Sequence, residues 1–239
     1  MNDALTYVGK DLEAMSFAEN YHRWILEEFR PFLGTRLVEV GAGTGLFTRL
    51  LLNEDLESLT AVEPSEMFER LQEALSITPV GVHVHLHRAI FEQVHQRIRD
   101  EAKPDSIIYV NVLEHILEDE SELQMVHETL GPGGRCFIFV PALMALYGKF
   151  DRKIGHFRRY TKPELEGKCI SAGFKIVRSR YFDFAGIFPW FVKYRMLGSD
   201  SLGGSAVSVY DKVAVPVIKT IEKFIVPAVG KNILLIAEK

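Results

Sequence analysis

The sequence predicts an α/β fold: a doubly wound, mostly parallel sheet of seven strands with an antiparallel last strand, helices on both faces and a helical insertion before that last strand. Three observations carry this reading. Short apolar runs recur along the chain without polar alternation, as strands covered on both faces do. Segments of helical period separate them. The first run ends directly in closely spaced glycines that open a helix.

Over residues 11–32 apolar side chains (Leu12, Met15, Ala18, Tyr21, Ile25, Phe29) recur every three or four positions, and Gly34 follows where a helix C-terminus commonly ends. Residues 36–40, RLVEV, form a buried strand. Residues 46–53 return to helical spacing, 59–62 are a second strand and 65–75 a second helix. The alternating run 82–86 is a third strand, followed by a helix over 91–102. Residues 106–110 form a fourth strand before a helix over 119–130. Gly131-Pro132-Gly133-Gly134 marks a turn into a fifth strand at 136–140. A helix at 163–172 and strands at 175–181 and 232–238 complete the set. The residues between the last two strands hold an aromatic stretch, a Gly/Ser-rich piece over 199–208 read as mobile, and a helix over 211–224 interrupted by Pro216. The expected organisation is a single domain over 1–239, with N-terminal helices in 1–33, a cofactor-binding core in 34–181, an insertion in 182–231 and the last strand in 232–239.

Composition narrows the function. With 47% apolar and 25% charged residues the chain folds without needing a disulfide or metal. Lys plus Arg number 28 against 32 Asp plus Glu, and the net charge of −4 argues against general nucleic-acid binding. Cys136 and Cys169 are too few for a thiolate zinc site. Met1-Asn2-Asp3-Ala4-Leu5 has neither the basic nor the apolar region of a signal peptide. Residues 182–198 are too short and too charged to span a bilayer. The expectation is a cytoplasmic protein with no transmembrane segment and no nucleic-acid partner.

The glycine segment is the most informative. Gly41-Ala42-Gly43-Thr44-Gly45 follows the first strand, so a ligand can approach the backbone without meeting a Cβ. The dinucleotide fingerprint asks for Gly or Ala where Leu46 stands, which speaks against a nicotinamide oxidoreductase, and no Gly-Lys-Ser/Thr follows to make a P-loop. Glu63, 18 residues after Gly45, ends the second strand, and a doubly wound sheet places it beside the glycine turn, where it can accept from two ribose hydroxyls. An exposed acid before Pro64 is the simpler alternative.

Several motifs in order resemble the class I S-adenosylmethionine-dependent methyltransferases, in particular their small-molecule group: residues 20–24, the first strand with its GAGTG turn, Glu63, the run 105–116 (DSIIYVNVLEHI) and Leu130-Gly131-Pro132-Gly133-Gly134-Arg135. The resemblance covers roughly residues 15–181 and implies a Rossmann-like fold and S-adenosylmethionine as cofactor, with S-adenosylhomocysteine as product. It further implies that Glu39 lies near the methionine amino group and that Gly41, Ala42 and Gly43 pass under that moiety. Glu63 would hold the ribose, Pro64 or Met67 would pack on the adenine, and Asn111, Val112 and Leu113 would border the methionine end. Tyr21 either closes over the cofactor carboxylate or is a core aromatic. The family often carries an acid after the third strand; here the run is His87-Arg88-Ala89-Ile90, so the backbone of Ala89 and Ile90 is expected at the adenine edge.

Methyl transfer from a sulfonium is an in-line displacement whose leaving thioether needs no proton, so alignment and desolvation can supply most of the rate. A base is needed only for a protonated acceptor. His115, His156 and Asp151 are the candidates; His115 is otherwise a helix-start or supporting histidine. His83, His85 and His87 share one strand face but stand roughly 7 Å apart, and no metal is assigned. The segment 149–162 carries a local charge of +5, and Arg158, Arg159 and Tyr160 are candidates for an anionic acceptor, the alternative being a solvated basic loop with Tyr160 and Thr161 capping the next helix. Trp190 and Phe191 belong to a crowd of aromatics with Phe182, Phe184, Phe188 and Tyr194 that either forms an acceptor cap or packs the insertion, a homodimer contact or a membrane surface. The expected acceptor is O or N of a small, lipid-linked or carbohydrate-linked metabolite. A cofactor-binding regulatory subunit without turnover is the alternative.

Overall fold

The computed structural model describes residues 18–200 and 204–239. Strands β1 (Arg36–Val40), β2 (Ser58–Val62), β3 (His83–His87), β4 (Ser106–Val110), β5 (Arg135–Pro141), β6 (Lys175–Phe182) and β7 (Asn232–Glu238) form one seven-stranded sheet in the order β3-β2-β1-β4-β5-β7-β6. The first five strands pair in parallel, and β7 runs antiparallel to both β5 and β6. The order reverses between β1 and β4, so the crevice of a doubly wound sheet opens above the ends of those two strands.

The alternating directions of strand side chains build one core on each face. Leu37, Ile108, Phe137 and Phe139 point to one side, and Val38, Ile107, Tyr109 and Ile138 to the other. The first face is covered by α1 (Glu19–Phe29), α2 (Leu46–Leu51), α3 (Met67–Ala74) and α10 (Val215–Phe224), through residues such as Trp24, Phe29, Leu50, Leu71 and Ile218. The second is covered by α4 (Phe91–Glu101), α5 (Asp119–Thr129) and α7 (Lys162–Ser171), through Ile98, Leu123, Val126 and Leu165. Short helices α6 (Lys149–Lys153), α8 (Ile187–Trp190) and α9 (Gly204–Val209) and π-helical turns at Phe191–Met196 and Tyr210–Ala214 lie in the remaining connections. Among the described residues no helix is long and apolar enough to cross a membrane.

Three local expectations change. Residues 11–17 of the expected first helix, Leu12 and Met15 included, lie outside the described residues; the described helix runs Glu19–Phe29 and ends not at Gly34 but in a 3-10 turn over Arg30–Phe32. Gly34 answers a different need: a Cβ there would sit 2.1 Å from the Asp105 carboxylate, which accepts from the amides of Thr35 and Arg36. The Gly/Ser-rich piece read as mobile is helical from Gly204 onward, with residues 201–203 outside the described set. The helix expected over 211–224 does change character at Pro216: a π-helical turn over Tyr210–Ala214 runs directly into α10, and this wider turn accommodates the missing N–H of Pro216 in the first turn of α10. Thr161 does cap α7, in a box with Glu164, whereas Tyr160 is fully buried and caps nothing.

Candidate active site

The turn after β1 takes its shape from three left-handed glycines, Gly41, Gly43 and Gly45. The amides of Gly41 and Ala42 both donate to the carbonyl of Val62, tying the turn to the end of β2. A Cβ on Gly41 would lie 2.4 Å from the Val112 side chain, so two constraints demand glycine there; around Gly43 nothing stands within 4 Å. Glu63 is buried and clamps this turn: Oε2 accepts from the Gly43 amide at 2.7 Å and Oε1 from the Ser65 amide at 2.8 Å. Each oxygen keeps a second lone pair for a ligand hydroxyl.

The turn floors a cavity of about 610 Å³, within the range of small-molecule sites. Glu39, Ala42, Pro64, Met67, Ala89, Ile90 and Val112 line it with Gly41, Gly43 and Glu63. Glu39 is 3% exposed and neither its Oε2 nor the neighbouring Thr48 hydroxyl completes a hydrogen bond; burial, opposed by Thr48 and reinforced by Glu63, pushes its carboxyl up to about 8. An unpartnered buried carboxyl oxygen at a cavity wall suits a ligand that brings a cationic donor. Asn111, directly after β4, has φ +55, a left-handed conformation strained for most residues and tolerated by Asn, and it also lines the cavity.

Beyond Asn111 a 3-10 turn over Leu113–His115 carries Glu114 and His115 to the cavity wall. The segment after α6 docks on it, with the Phe157 amide donating to the Glu114 carbonyl. This brings His156 beside His115, ring centroids 4.5 Å apart and edge to face. His156 Nδ1 lies 3.1 Å from Asp151 Oδ1 and Nε2 lies 3.7 Å from Glu114 Oε1. Asp151 is fully buried; it accepts from Arg159 Nε at 2.8 Å and from the Gly148 amide at 2.8 Å. Burial would raise its carboxyl, but hydrogen bonding to His156 and the charge of Arg159 hold it below the ordinary carboxylate range. Burial pushes Glu114 up to about 7 and His115 down to about 3.

The opposite wall is aromatic and basic. Trp190 and Tyr194 line the cavity, Arg159 stands 4.8 Å over the Trp190 ring, and Lys193 lies 5.0 Å over Tyr194. Lys231 enters from the loop before β7, paired with Asp183 at 2.9 Å and set 4.8 Å over Tyr21. Tyr21 both lines the cavity and packs edge-on against Trp24, Phe139 and Phe182, with its hydroxyl 3.2 Å from Asp183 Oδ2.

Not every sequence candidate reaches the cavity. Arg158 turns away to Asp119, at 2.6 Å, and to the Leu117 carbonyl. Tyr160 also hydrogen-bonds Asp119, at 2.7 Å, from within the core, so these two residues staple the loop to α5 and leave Arg159 alone facing inward. Leu113 is buried in the core behind the wall and Asp151 stands behind His156 and Arg159. Phe191 points outward, half-exposed, as do Phe184 and Phe188, while Phe182 stacks on Trp24 in the core. Glu114, Lys231, Tyr210 and Phe150 line the cavity and were missed. Only Glu114 left a local signal, its place beside His115 at the end of the fourth strand; Lys231 and Tyr210 arrive from segments whose position no local pattern encodes.

A family model described as a methyltransferase domain matches residues 13–179. No curated protein sequence matches the chain. Among solved structures, a SAM-dependent methyltransferase from Archaeoglobus fulgidus is 16% identical, with 95% of this chain and 98% of that chain covered and a TM-score of 0.63. The Haloferax volcanii complex between the Trm112 methyltransferase activator and a methyltransferase matches at 12% identity, 97% and 94% coverage and a TM-score of 0.60. The Burkholderia thailandensis 1,6-didemethyltoxoflavin-N1-methyltransferase, solved with 1,6-didemethyltoxoflavin and S-adenosylhomocysteine, matches at 18% identity, 97% and 82% coverage and a TM-score of 0.57.

Proposed function

The chain belongs to the methyltransferase-domain family, whose cofactor is S-adenosylmethionine, and from that premise we propose that it transfers a methyl group from this cofactor to O or N of a small or lipid- or carbohydrate-linked acceptor. When bound, the cofactor supplies an electrophilic methyl group on a sulfonium. The observation that carries the reading is the unpartnered, buried Glu39 oxygen in the same cavity as the Glu63-clamped glycine turn. Glu39 would meet the ammonium of the methionine end, Glu63 the ribose hydroxyls, and Pro64, Met67, Ala89 and Ile90 the adenine. Gly41, Gly43, Asn111 and Val112 would hold the backbone close. The acceptor would enter under the insertion over 182–231, between Trp190 and the wall of Glu114, His115 and His156. Lys193, beside Arg159 and Lys231 whose charges are balanced by Asp151 and Asp183, favours an acceptor that carries an anionic group beside an apolar body. Asp151 would hold the His156 ring in place through Nδ1, with Nε2 beside Glu114 at the cavity wall.

Calorimetry with S-adenosylmethionine, S-adenosylhomocysteine and NAD tests the cofactor, and binding of NAD alone overturns it. Methyl-labelled cofactor incubated with cell extract then shows which fraction takes up label. Trp190→Ala is expected to leave cofactor affinity within about twofold and to lower methyl transfer at least tenfold, because it removes one wall of the acceptor end. Phe191→Ala is expected to change neither, since that side chain points away from the cavity. Equal effects from the two changes would remove the acceptor from this wall.

Glu39 adds a pH signature. Its carboxyl, pushed up to about 8 by burial, is mostly protonated at pH 7. An ammonium beside it favours the carboxylate, so cofactor binding releases a proton and strengthens as pH rises toward 8. Calorimetry in phosphate and in Tris reads this as a buffer-dependent heat. Glu39→Gln should abolish the dependence, and a buffer-independent heat in the wild type would displace Glu39 from the ammonium.

A further inference from the structure

Glu114 presents a problem that the cofactor does not solve. Its side chain is fully buried, and neither carboxylate oxygen has a hydrogen-bond partner. A carboxyl group taken out of water either takes up a proton, toward which burial drives Glu114 with its value near 7, or is held charged by neighbouring cations such as His156 and Arg159, or by a metal ion. Arg159, the buried cation in this region, is already engaged by Asp151, with Nε at 2.8 Å and Nη2 at 2.7 Å both on Oδ1.

The groups around Glu114 are good ligands for a cation. One ligand atom from each of Glu114, His115 and His156 lies within 4.8 Å of the others. The separation of 3.7 Å between Glu114 Oε1 and His156 Nε2 is too long for a hydrogen bond. It is close to the edge of about 3.4 Å that a tetrahedral ion with bonds of about 2.1 Å sets between two of its ligands. Asp151 holds His156 by Nδ1, which fixes the proton on that nitrogen and turns the lone pair of Nε2 toward Glu114. A carboxylate that orients a histidine in this way is the usual support for a metal-binding imidazole.

We infer that Glu114, His115 and His156 form a binding site for one divalent transition-metal ion, with Asp151 as its positioning residue and the remaining coordination positions open to the cavity. Two imidazoles and one carboxylate suit zinc, iron(II), cobalt(II) or manganese(II), and are poor ligands for calcium, which takes oxygen donors. The ion neutralises the buried carboxylate. Its open positions face the volume assigned above to the acceptor, and this last point alone rests on the methyltransferase reading. There the ion would bind an acceptor hydroxyl and lower its pKa, with the proton released to solvent as the alkoxide or phenolate forms on the metal. The sequence reading had looked for a metal only along His83, His85 and His87, which share a strand, and passed over three residues that tertiary structure assembles.

The test uses the full chain, stripped with a chelator, and cobalt(II) as a spectroscopic probe. Saturable uptake of one cobalt per chain is expected, with visible d–d bands of low-symmetry N/O coordination, and zinc should displace it. Glu114→Gln preserves volume and should weaken uptake at least 100-fold, whereas His85→Ala, on β3, should leave it unchanged. Circular dichroism checks that both variants fold. Absence of stoichiometric uptake by the wild type overturns the proposal, whatever the variants do, and so does uptake that survives Glu114→Gln or is lost with His85→Ala. Cofactor binding measured on the same stripped protein separates the two readings: intact S-adenosylmethionine binding without cobalt uptake removes the metal site alone, and cobalt uptake without cofactor binding removes the methyltransferase reading alone.

Discussion

Gly43→Val is expected to abolish S-adenosylmethionine binding while leaving the protein folded. Gly43 has φ +56, a region in which an L side chain costs about 1–2 kcal/mol, and more for a β-branched one. No atom stands within 4 Å of the position its Cβ would take, so the fold loses only this conformational term. The added isopropyl group instead occupies the cavity next to the Gly43 amide that donates to Glu63, where the proposed placement brings the cofactor against the backbone. A loss of more than about 100-fold in affinity is expected, equivalent to about 2.7 kcal/mol. Calorimetry reads the affinity and thermal unfolding the stability. Cofactor affinity within tenfold of wild type would show that the ligand does not pass under this turn. Gly41→Val makes the contrast: its Cβ would strike the Val112 side chain at 2.4 Å, so that variant should fail through stability.

Asp151→Ala is expected to be the most damaging single change to stability outside the central sheet. Asp151 is fully buried and neutralises Arg159, itself 2% exposed, while it also holds His156 and the Gly148 amide. Removing one partner of a buried pair leaves an uncompensated charge, and a loss of about 3–5 kcal/mol is expected in chemical denaturation. Replacing both members by apolar residues of similar size, Asp151→Leu with Arg159→Met, should recover much of that loss. A loss below about 1 kcal/mol in the single variant would mean that the pair is solvated in solution. The same pair sets an acid limit. The Asp151 carboxyl is held below its ordinary value in the folded protein, so its contribution is present in full above the unfolded carboxylate range, near pH 4, and is lost as pH falls through the lowered folded value.

The sheet was legible in the sequence to within a residue or two at each strand. The runs at Arg36–Val40, Ser106–Val110 and Asn232–Glu238 are apolar because both faces of these strands are covered, and that leaves its mark in one dimension. The proposed cofactor end was legible as a geometry for a similar reason. Three left-handed residues in five require glycine, and a doubly wound topology places the acid at the end of the second strand against that turn, where Glu63 receives the Gly43 amide.

The proposed acceptor end was legible only as a list of residue types. Arg158, Arg159 and Tyr160 are consecutive, and nothing local distinguishes the one that faces the cavity from the two that reach Asp119 on α5. Gly34 announced a helix end and instead makes room for Asp105, 71 residues later. Glu114 and His115 were adjacent in the chain, but their relation to His156 arises because the Phe157 amide pairs with the Glu114 carbonyl. The sequence by itself determined the sheet, its two covered faces and the glycine turn with its carboxylate, since backbone conformation and burial period are properties of neighbouring residues. Only the tertiary structure decided which charges meet inside the cavity and which are spent on its frame, since a loop side chain takes its direction from partners that the fold brings to it.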